Sequence, residues 1–192
     1  HVEIIGTAGE APESTIVVES VEEVNQLSFS EEQKLAYLTQ TTLSLDDVKE
    51  MTDALVQKFP HIETLPSSSI CYATTNRQMA LRHITDEADL VLVVGDPMSS
   101  NSNRLCEVAQ KRGRTAYLIH EASQIQPSWL SGVKTIAMTA GASTPEDVVQ
   151  SCIGRLKLLG VVQVEEVTYT EENVFFQLPK QVLSSPFKSH SV

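Results

Sequence analysis

The sequence predicts an α/β protein in which small parallel sheets are flanked by helices, and three observations carry that expectation. Short apolar or β-branched runs, such as Leu90-Val91-Leu92-Val93-Val94, alternate with stretches whose apolar residues recur at helical spacing. Each run is followed by enough chain for a crossover helix, as parallel pairing requires. The expected strands end in polar turns, where sheets of this kind collect ligands.

In chain order, His1 to Glu13 reads as a polar loop or short helix, and Thr15 to Val18 as a strand. Ser20-x-x-Glu23 is a capping-box pattern opening a helix with Val21, Val24 and Leu27. Leu35 to Leu38 is expected as a second strand, ending in Thr39-Gln40-Thr41-Thr42. Ser44-x-x-Asp47 then opens a helix with Val48, Met51, Leu55 and Phe59, stopped before Pro60. Pro60 to Ser69, with two prolines and three successive serines, is the expected domain boundary. Ile70 to Arg77 leads into a helix carrying Met79, Ala80, Leu81 and Ile84. Leu90 to Val94 is a buried strand ending at Gly95, and Ser99-Ser100-Asn101-Ser102-Asn103-Arg104 opens a helix with Leu105, Val108 and Ala109 on one face. Thr115 to Ile119 is another strand, followed by a broken connection packed by Ile125, Trp129 and Leu130. Lys134 to Met138 is expected as a strand ending in Thr139-Ala140-Gly141-Ala142-Ser143. Thr144 as N-cap, with Pro145 at the first helical position, starts a helix with Val148, Val149, Cys152, Ile153, Leu156 and Leu159, ended by Gly160. Val161 to Leu178 reads as one or two edge strands and Pro179 onward as a loose tail.

Composition removes several function classes. With 14 basic against 25 acidic residues and a net charge of −11, no basic patch is expected for nucleic acid or a membrane surface. No apolar run reaches membrane-spanning length and no signal-peptide pattern is present. Three widely spaced cysteines, Cys71, Cys106 and Cys152, suit a reducing, cytoplasmic setting better than a disulfide scaffold. The chain opens at His1 in already patterned sequence, so the expectation is the continuation of a longer polypeptide.

Four expected strand ends are unusually polar: Thr39 to Thr42, Thr74 to Asn76, Ser99 to Asn101, and Thr139 to Ser143. Hydroxyl and amide side chains at the opening of a helix add donors to its unpaired N–H groups, and together they suit an anion. One such turn is as readily an ordinary helix cap; four ordered ones point to a pocket. No Lys or Arg lies in the turns themselves, so a phosphate there is expected on hydroxyls, amides and backbone N–H groups. Walker A, G-x-G-x-x-G, G-x-S-x-G, C-x-x-C and H-E-x-x-H patterns are all absent. Cys152 on an apolar helix face and Cys106 within a helix read as structural; Cys71 alone is expected at a strand end beside the pocket, where a buried small residue is the competing reading.

The segments Thr39-Gln40-Thr41-Thr42-Leu43-Ser44, Ile70-Cys71-Tyr72-Ala73-Thr74-Thr75-Asn76-Arg77-Gln78, Val93-Val94-Gly95 followed by Ser99 to Arg104, and Thr139 to Ser143 occur in one order. Together with His1-Val2-Glu3 and Gly6-Thr7, they make the chain resemble the LytB-type 4-hydroxy-3-methylbut-2-enyl diphosphate reductases of the methylerythritol phosphate route to isoprenoids, over residues 1 to about 178. The resemblance implies three α/β domains in a pseudo-threefold arrangement around a central iron–sulfur cluster (4Fe–4S) held by three cysteines. It implies reductive removal of the hydroxyl of an allylic diphosphate, giving isopentenyl and dimethylallyl diphosphates, with a ferredoxin or flavodoxin as electron donor. On this resemblance Cys71 is the last cluster ligand, Glu3 passes protons toward the leaving hydroxyl, and Thr41 is its hydrogen-bonding partner. His1, Ser99, Ser100, Asn101 and Ser143 are then the diphosphate ligands. Residues 1–66 are expected as the remainder of the middle domain, 67–160 as the C-terminal domain, and 161–192 as closing strands and tail. Val2 and Met98 depart from the family's usual proline and asparagine. Two further cysteine ligands are expected upstream of His1, so the isolated chain is expected to be inactive. The competing expectation is a shortened, non-catalytic diphosphate-binding protein; a generic sugar-phosphate or nucleotide binder would require accidental motif matches.

Overall fold

The computed structural model describes residues 1–64, 70–171, 175 and 177–179. Among them, the larger unit is a parallel sheet of β3 (Leu90–Val94), β4 (Thr115–Ile119) and β5 (Ile136–Ala140), in the order β4-β3-β5. Leu90 pairs with Thr115 on one side and Ile136 on the other, so the three carboxyl ends stay level. All five residues of β3 are buried because both faces are covered, which is why this strand is an unbroken apolar run. Strand alternation sends Val91 and Val93 into one apolar core with Leu81, Leu105, Val108 and Ala109. Leu90, Leu92 and Val94 enter the other, with Ile119, Ile125, Cys152 and Leu156. Helices α4 (Tyr72–Thr85) and α5 (Ser100–Lys111) therefore cover one face and α6 (Glu146–Leu158) the other. At the end of α5, Gly113 takes φ +75°, a conformation that lets the chain reverse into β4 without a side-chain penalty.

The smaller unit has β1 (Ala36–Tyr37) and β2 (Glu63–Thr64) in parallel, joined by α3 (Leu45–Lys58). Before them come α1 (Val2–Glu10) and α2 (Val21–Gln26). The Ser20 hydroxyl accepts from Glu23 N–H, and Lys58 Nζ donates to the Val24 and Asn25 carbonyls at the other end of α2. Two α/β units with parallel sheets bear out the expected fold class.

Several local expectations are corrected. Thr15 to Val18 forms no strand, leaving Ile16 and Val17 exposed; β-branched residues favour a strand only where an edge is there to pair with. The same holds for the described part of Val161 to Leu178, where no strand forms and Val162 is almost wholly exposed. Thr74 to Asn76 is not a strand-end turn but lies inside the first turns of α4, with Cys71 at the N-cap position. β5 starts two residues later than expected because Asp89 Oδ2 accepts the N–H groups of Lys134 and Thr135 before the ladder begins. Pro145 rather than Thr144 occupies the N-cap position of α6, since the Thr144 hydroxyl donates to the Val94 carbonyl instead. Most of the expected tail after Pro179 lies outside the described residues.

Candidate functional site

Three polar turns remain at the carboxyl ends of strands, and α5 opens from the central one. Gly95, Asp96 and Pro97 carry the chain from β3 to Ser99, whose hydroxyl accepts from Ser102 N–H at 3.4 Å as the N-cap. Asn103 Nδ2 donates to the Pro97 and Ser99 carbonyls, and Ser99 N–H to Asp96 O, which locks the loop. The following residues behave differently. Asn101 is 7% exposed and neither atom of its side-chain amide has a partner; Ser102 is 1% exposed and its hydroxyl has none. Leaving such a group unpaired costs about 1–3 kcal/mol, so a stable fold retains it only for a reason. These donors stand at the positive end of a twelve-residue helix, a place suited to an anion.

The space is kept by two glycines. A methyl group built on Gly95 or on Gly141 would collide with the Ser102 hydroxyl, so the ends of β3 and β5 close onto this helix start only without side chains. Ser143, two residues beyond Gly141, is exposed and lines an open cleft of about 480 Å³ with Gly95, Asp96, Pro97, His120, Thr144, Pro145 and Val148. The cleft therefore lies across the same strand ends.

The amino terminus reaches this place from the other unit. His1 is the N-cap of α1, its Nδ1 accepting from Glu3 N–H at 3.3 Å, while its Nε2 lies 2.7 Å from Ser100 Oγ. Imidazole thus touches the opening turn of α5 across 99 positions of sequence. Glu3 Oε1 accepts from Thr41 N–H at 2.9 Å, and Thr41 O accepts from Cys71 N–H at 3.0 Å. The bond between Glu3 and Thr41 runs from the backbone N–H of Thr41 to the Glu3 carboxylate. One turn, 39–42, consequently carries a carboxylate on one side and the start of the cysteine-capped helix on the other.

The cysteines differ by environment. Cys71 is exposed at the head of α4. Cys106 packs against the α5 side of the sheet, and burial, aided by the Glu107 charge, pushes its thiol up from the ordinary value. Cys152 is fully buried in the other core and burial raises it too. An iron–sulfur cluster requires thiolates. Cys71 is the exposed thiol of the three, whereas Cys106 and Cys152 pack against the two cores. Among the described residues no group of three His, Cys, Asp or Glu could hold a metal ion. The described residues by themselves therefore do not supply the ligand set of a whole cluster. No helix among the described residues is long and apolar enough to cross a membrane.

The structure thus brings His1 to Ser100 and Glu3 to Thr41 and Cys71, places Ser99 and Asn101 at the same helix start, and sets Ser143 on the neighbouring cleft. The sequence places Gly95 at the end of its strand, Ser102 in the helix opening and Gly141 in the last polar turn, but none of the three was a candidate site residue. The signal was present, since a glycine directly follows or closes each apolar run at Val94-Gly95 and Ala140-Gly141, where close backbone approach is a standing reason for the residue.

The sequence profile of the LytB protein family matches residues 1–157. The 4-hydroxy-3-methylbut-2-enyl diphosphate reductase of Protochlamydia amoebophila is 66% identical over 187 residues, covering 97% of this chain and 60% of the relative. That of Chlamydia caviae is 56% identical over 183 residues, covering 95% and 59%. A solved structure of the E-1-hydroxy-2-methyl-but-2-enyl-4-diphosphate reductase from Plasmodium falciparum superposes with a TM-score of 0.89 at 43% identity, over 95% of this chain and 58% of that one. The chain thus spans about 60% of the length of the relatives it matches.

Proposed function

This chain belongs to the LytB protein family, and from that premise we propose that it forms the diphosphate cradle, the proton-handling acid and one cluster corner of a 4-hydroxy-3-methylbut-2-enyl diphosphate reductase. The observation that carries this is the junction of Glu3, Thr41 and Cys71, set beside the unpartnered donors of α5. In the proposed assembly the diphosphate sits on Ser99, Ser100, Asn101 and Ser143, with His1 supplying a proton or positive charge to oxygens otherwise held by neutral groups. Each neutral hydrogen bond contributes only about 0.5–1.5 kcal/mol, so affinity comes from their convergence.

Replacing the allylic hydroxyl by hydrogen consumes two electrons and two protons. The C–O bond breaks, one proton leaves with the hydroxyl as water, and the other ends on carbon. Glu3 is the group placed to hold and deliver a proton, its carboxylate oriented by Thr41 N–H. Cys71 supplies one thiolate, and the two remaining cluster ligands come from sequence outside these 192 residues. Electrons arrive from a small donor of the ferredoxin or flavodoxin type.

The test is kinetic and uses a chimera in which this chain replaces its matching part of the Protochlamydia amoebophila reductase. Glu3→Gln is expected to lower kcat by roughly 10²–10⁴ with KM little changed. Asn101→Ala is expected to raise KM by about tenfold or more, as loss of a hydrogen bond to a charged group predicts. A chimera that turned over normally with both substitutions would overturn the assignment. If diphosphate binds but no chimera turns over, the non-catalytic binding protein becomes the better description.

A further inference from the structure

The junction of Glu3, Thr41 and Cys71 needs something to hold it. Thr41 lies on a turn between a two-residue strand and α3, and such a strand provides little anchorage. α4 provides the rest. Cys71 N–H donates to Thr41 O at 3.0 Å. Gln78, seven residues along, donates from Nε2 to Leu43 O at 2.8 Å and accepts from Leu45 N–H at its Oε1 at 3.0 Å. Arg82, four residues further, pairs with Asp46 at 2.7 Å. Residues 71, 78 and 82 share one face of a helix, and they grip positions 41, 43, 45 and 46 in succession. Gln78 is the centre of this series. It is completely buried, and a buried primary amide persists only where its polar atoms are paired. Both are paired here to backbone groups of one short segment, so the side chain reads position as well as filling space.

We propose that Gln78 is the positioning residue of the site: it fixes the segment 41–45 against α4 and so sets the Glu3 carboxylate and the Cys71 thiol at one mutual distance. The proposal rests on the assignment of Glu3 and Cys71 given above, but its geometry can be measured without turnover. Gln78→Met keeps volume and removes both hydrogen bonds. Gln78→Glu changes their pH dependence, because a neutral carboxyl can still donate to Leu43 O and accept from Leu45 N–H, whereas a buried carboxylate cannot donate.

The experiment is amide hydrogen exchange on this chain, read residue by residue, together with the rate at which Cys71 is alkylated by iodoacetamide. In Gln78→Met the Leu45 and Thr41 amides are expected to exchange tenfold faster or more, with amides of β3 and α5 unchanged and Cys71 alkylation altered. In Gln78→Glu, protection of Leu45 relative to its intrinsic exchange rate is expected at low pH and to fall as the pH rises through the raised carboxyl pKa, because the carboxylate then repels the Leu43 carbonyl it had bonded and releases the segment, a step absent from the wild type. Should Gln78→Met not fold, the pH step in Gln78→Glu decides. Wild-type exchange at Thr41 and Leu45 in Gln78→Met, uniform acceleration of every amide, or pH-independent protection in Gln78→Glu would each overturn the proposal. Failure of the functional assignment itself would show as unimpaired turnover in Glu3→Gln and would leave these exchange rates untouched.

Discussion

Asn101 and Ser102 sit at the head of α5 with unsatisfied polar atoms, and that makes them poor contributors to stability in the ligand-free chain. Asn101→Ala is accordingly predicted to leave the urea midpoint unchanged or raise it, while weakening the binding of inorganic diphosphate about tenfold by calorimetry. The glycines make a sharper prediction. Gly141→Ala brings a methyl against the Ser102 hydroxyl, whereas Gly95→Ala meets the Ser102 Cβ as well, at 2.8 Å. Each single change is expected to cost about 1–3 kcal/mol as overpacking. In a Ser102→Ala background most of the Gly141→Ala cost should disappear and most of the Gly95→Ala cost should remain, which equilibrium denaturation of the double variants resolves. Thiol chemistry separates the cysteines in the same way: Cys71 is expected to react quickly with an alkylating reagent, and Cys106 and Cys152 only as the fold opens.

At the scale of elements, the start of the central sheet depends on two aspartates. Asp89 takes the Lys134 and Thr135 N–H groups, which hold its carboxyl below the usual carboxylate range. Asp86 is held low by the bidentate Arg112 guanidinium, which ties α4 to the end of α5. Groups depressed in the folded state support it above their unfolded pKa, and that support is lost as the pH falls through the folded value. Stability is therefore expected to decline below about pH 4, and less steeply in Arg112→Gln. Asp89→Ala should speed exchange of the Lys134 and Thr135 amides while leaving β4 protected. The elements themselves were largely legible. Thr115–Ile119 and the cap at Ser20 follow from pattern alone, since a short apolar run and a capping box state their physics locally. What sequence could not state was pairing. Thr15 to Val18 and Val161 onward carry strand-forming residues, and whether an edge lies beside them depends on the whole fold. Through the resemblance the sequence named candidate site residues, among them Glu3, Thr41 and Cys71. Their wiring was not legible, because the Glu3 carboxylate and the Cys71 N–H meet on the main chain of Thr41, which no side-chain motif encodes.

At the scale of the whole molecule, burial is uneven. α1 has no buried residue, with Val2 79% and Ile5 71% exposed, yet its first turn supplies both His1 and Glu3 to the site. Among the described residues, that turn, the 41–46 segment and the ion pair of Lys111 with Asp47 join the two units. The chain spans about 60% of the length of its relatives, and the proposal makes its exposed Cys71 one of three cluster ligands. Anaerobic reconstitution with iron and sulfide, scored as iron bound per chain with the accompanying sulfide-to-iron absorbance, tests this directly. It compares the chimera described above, its Cys71→Ser variant and the 192-residue chain alone. A stable cluster is expected in the chimera and none in the other two. An undiminished cluster in the Cys71→Ser chimera, or a stable one on the chain alone, would contradict the proposal.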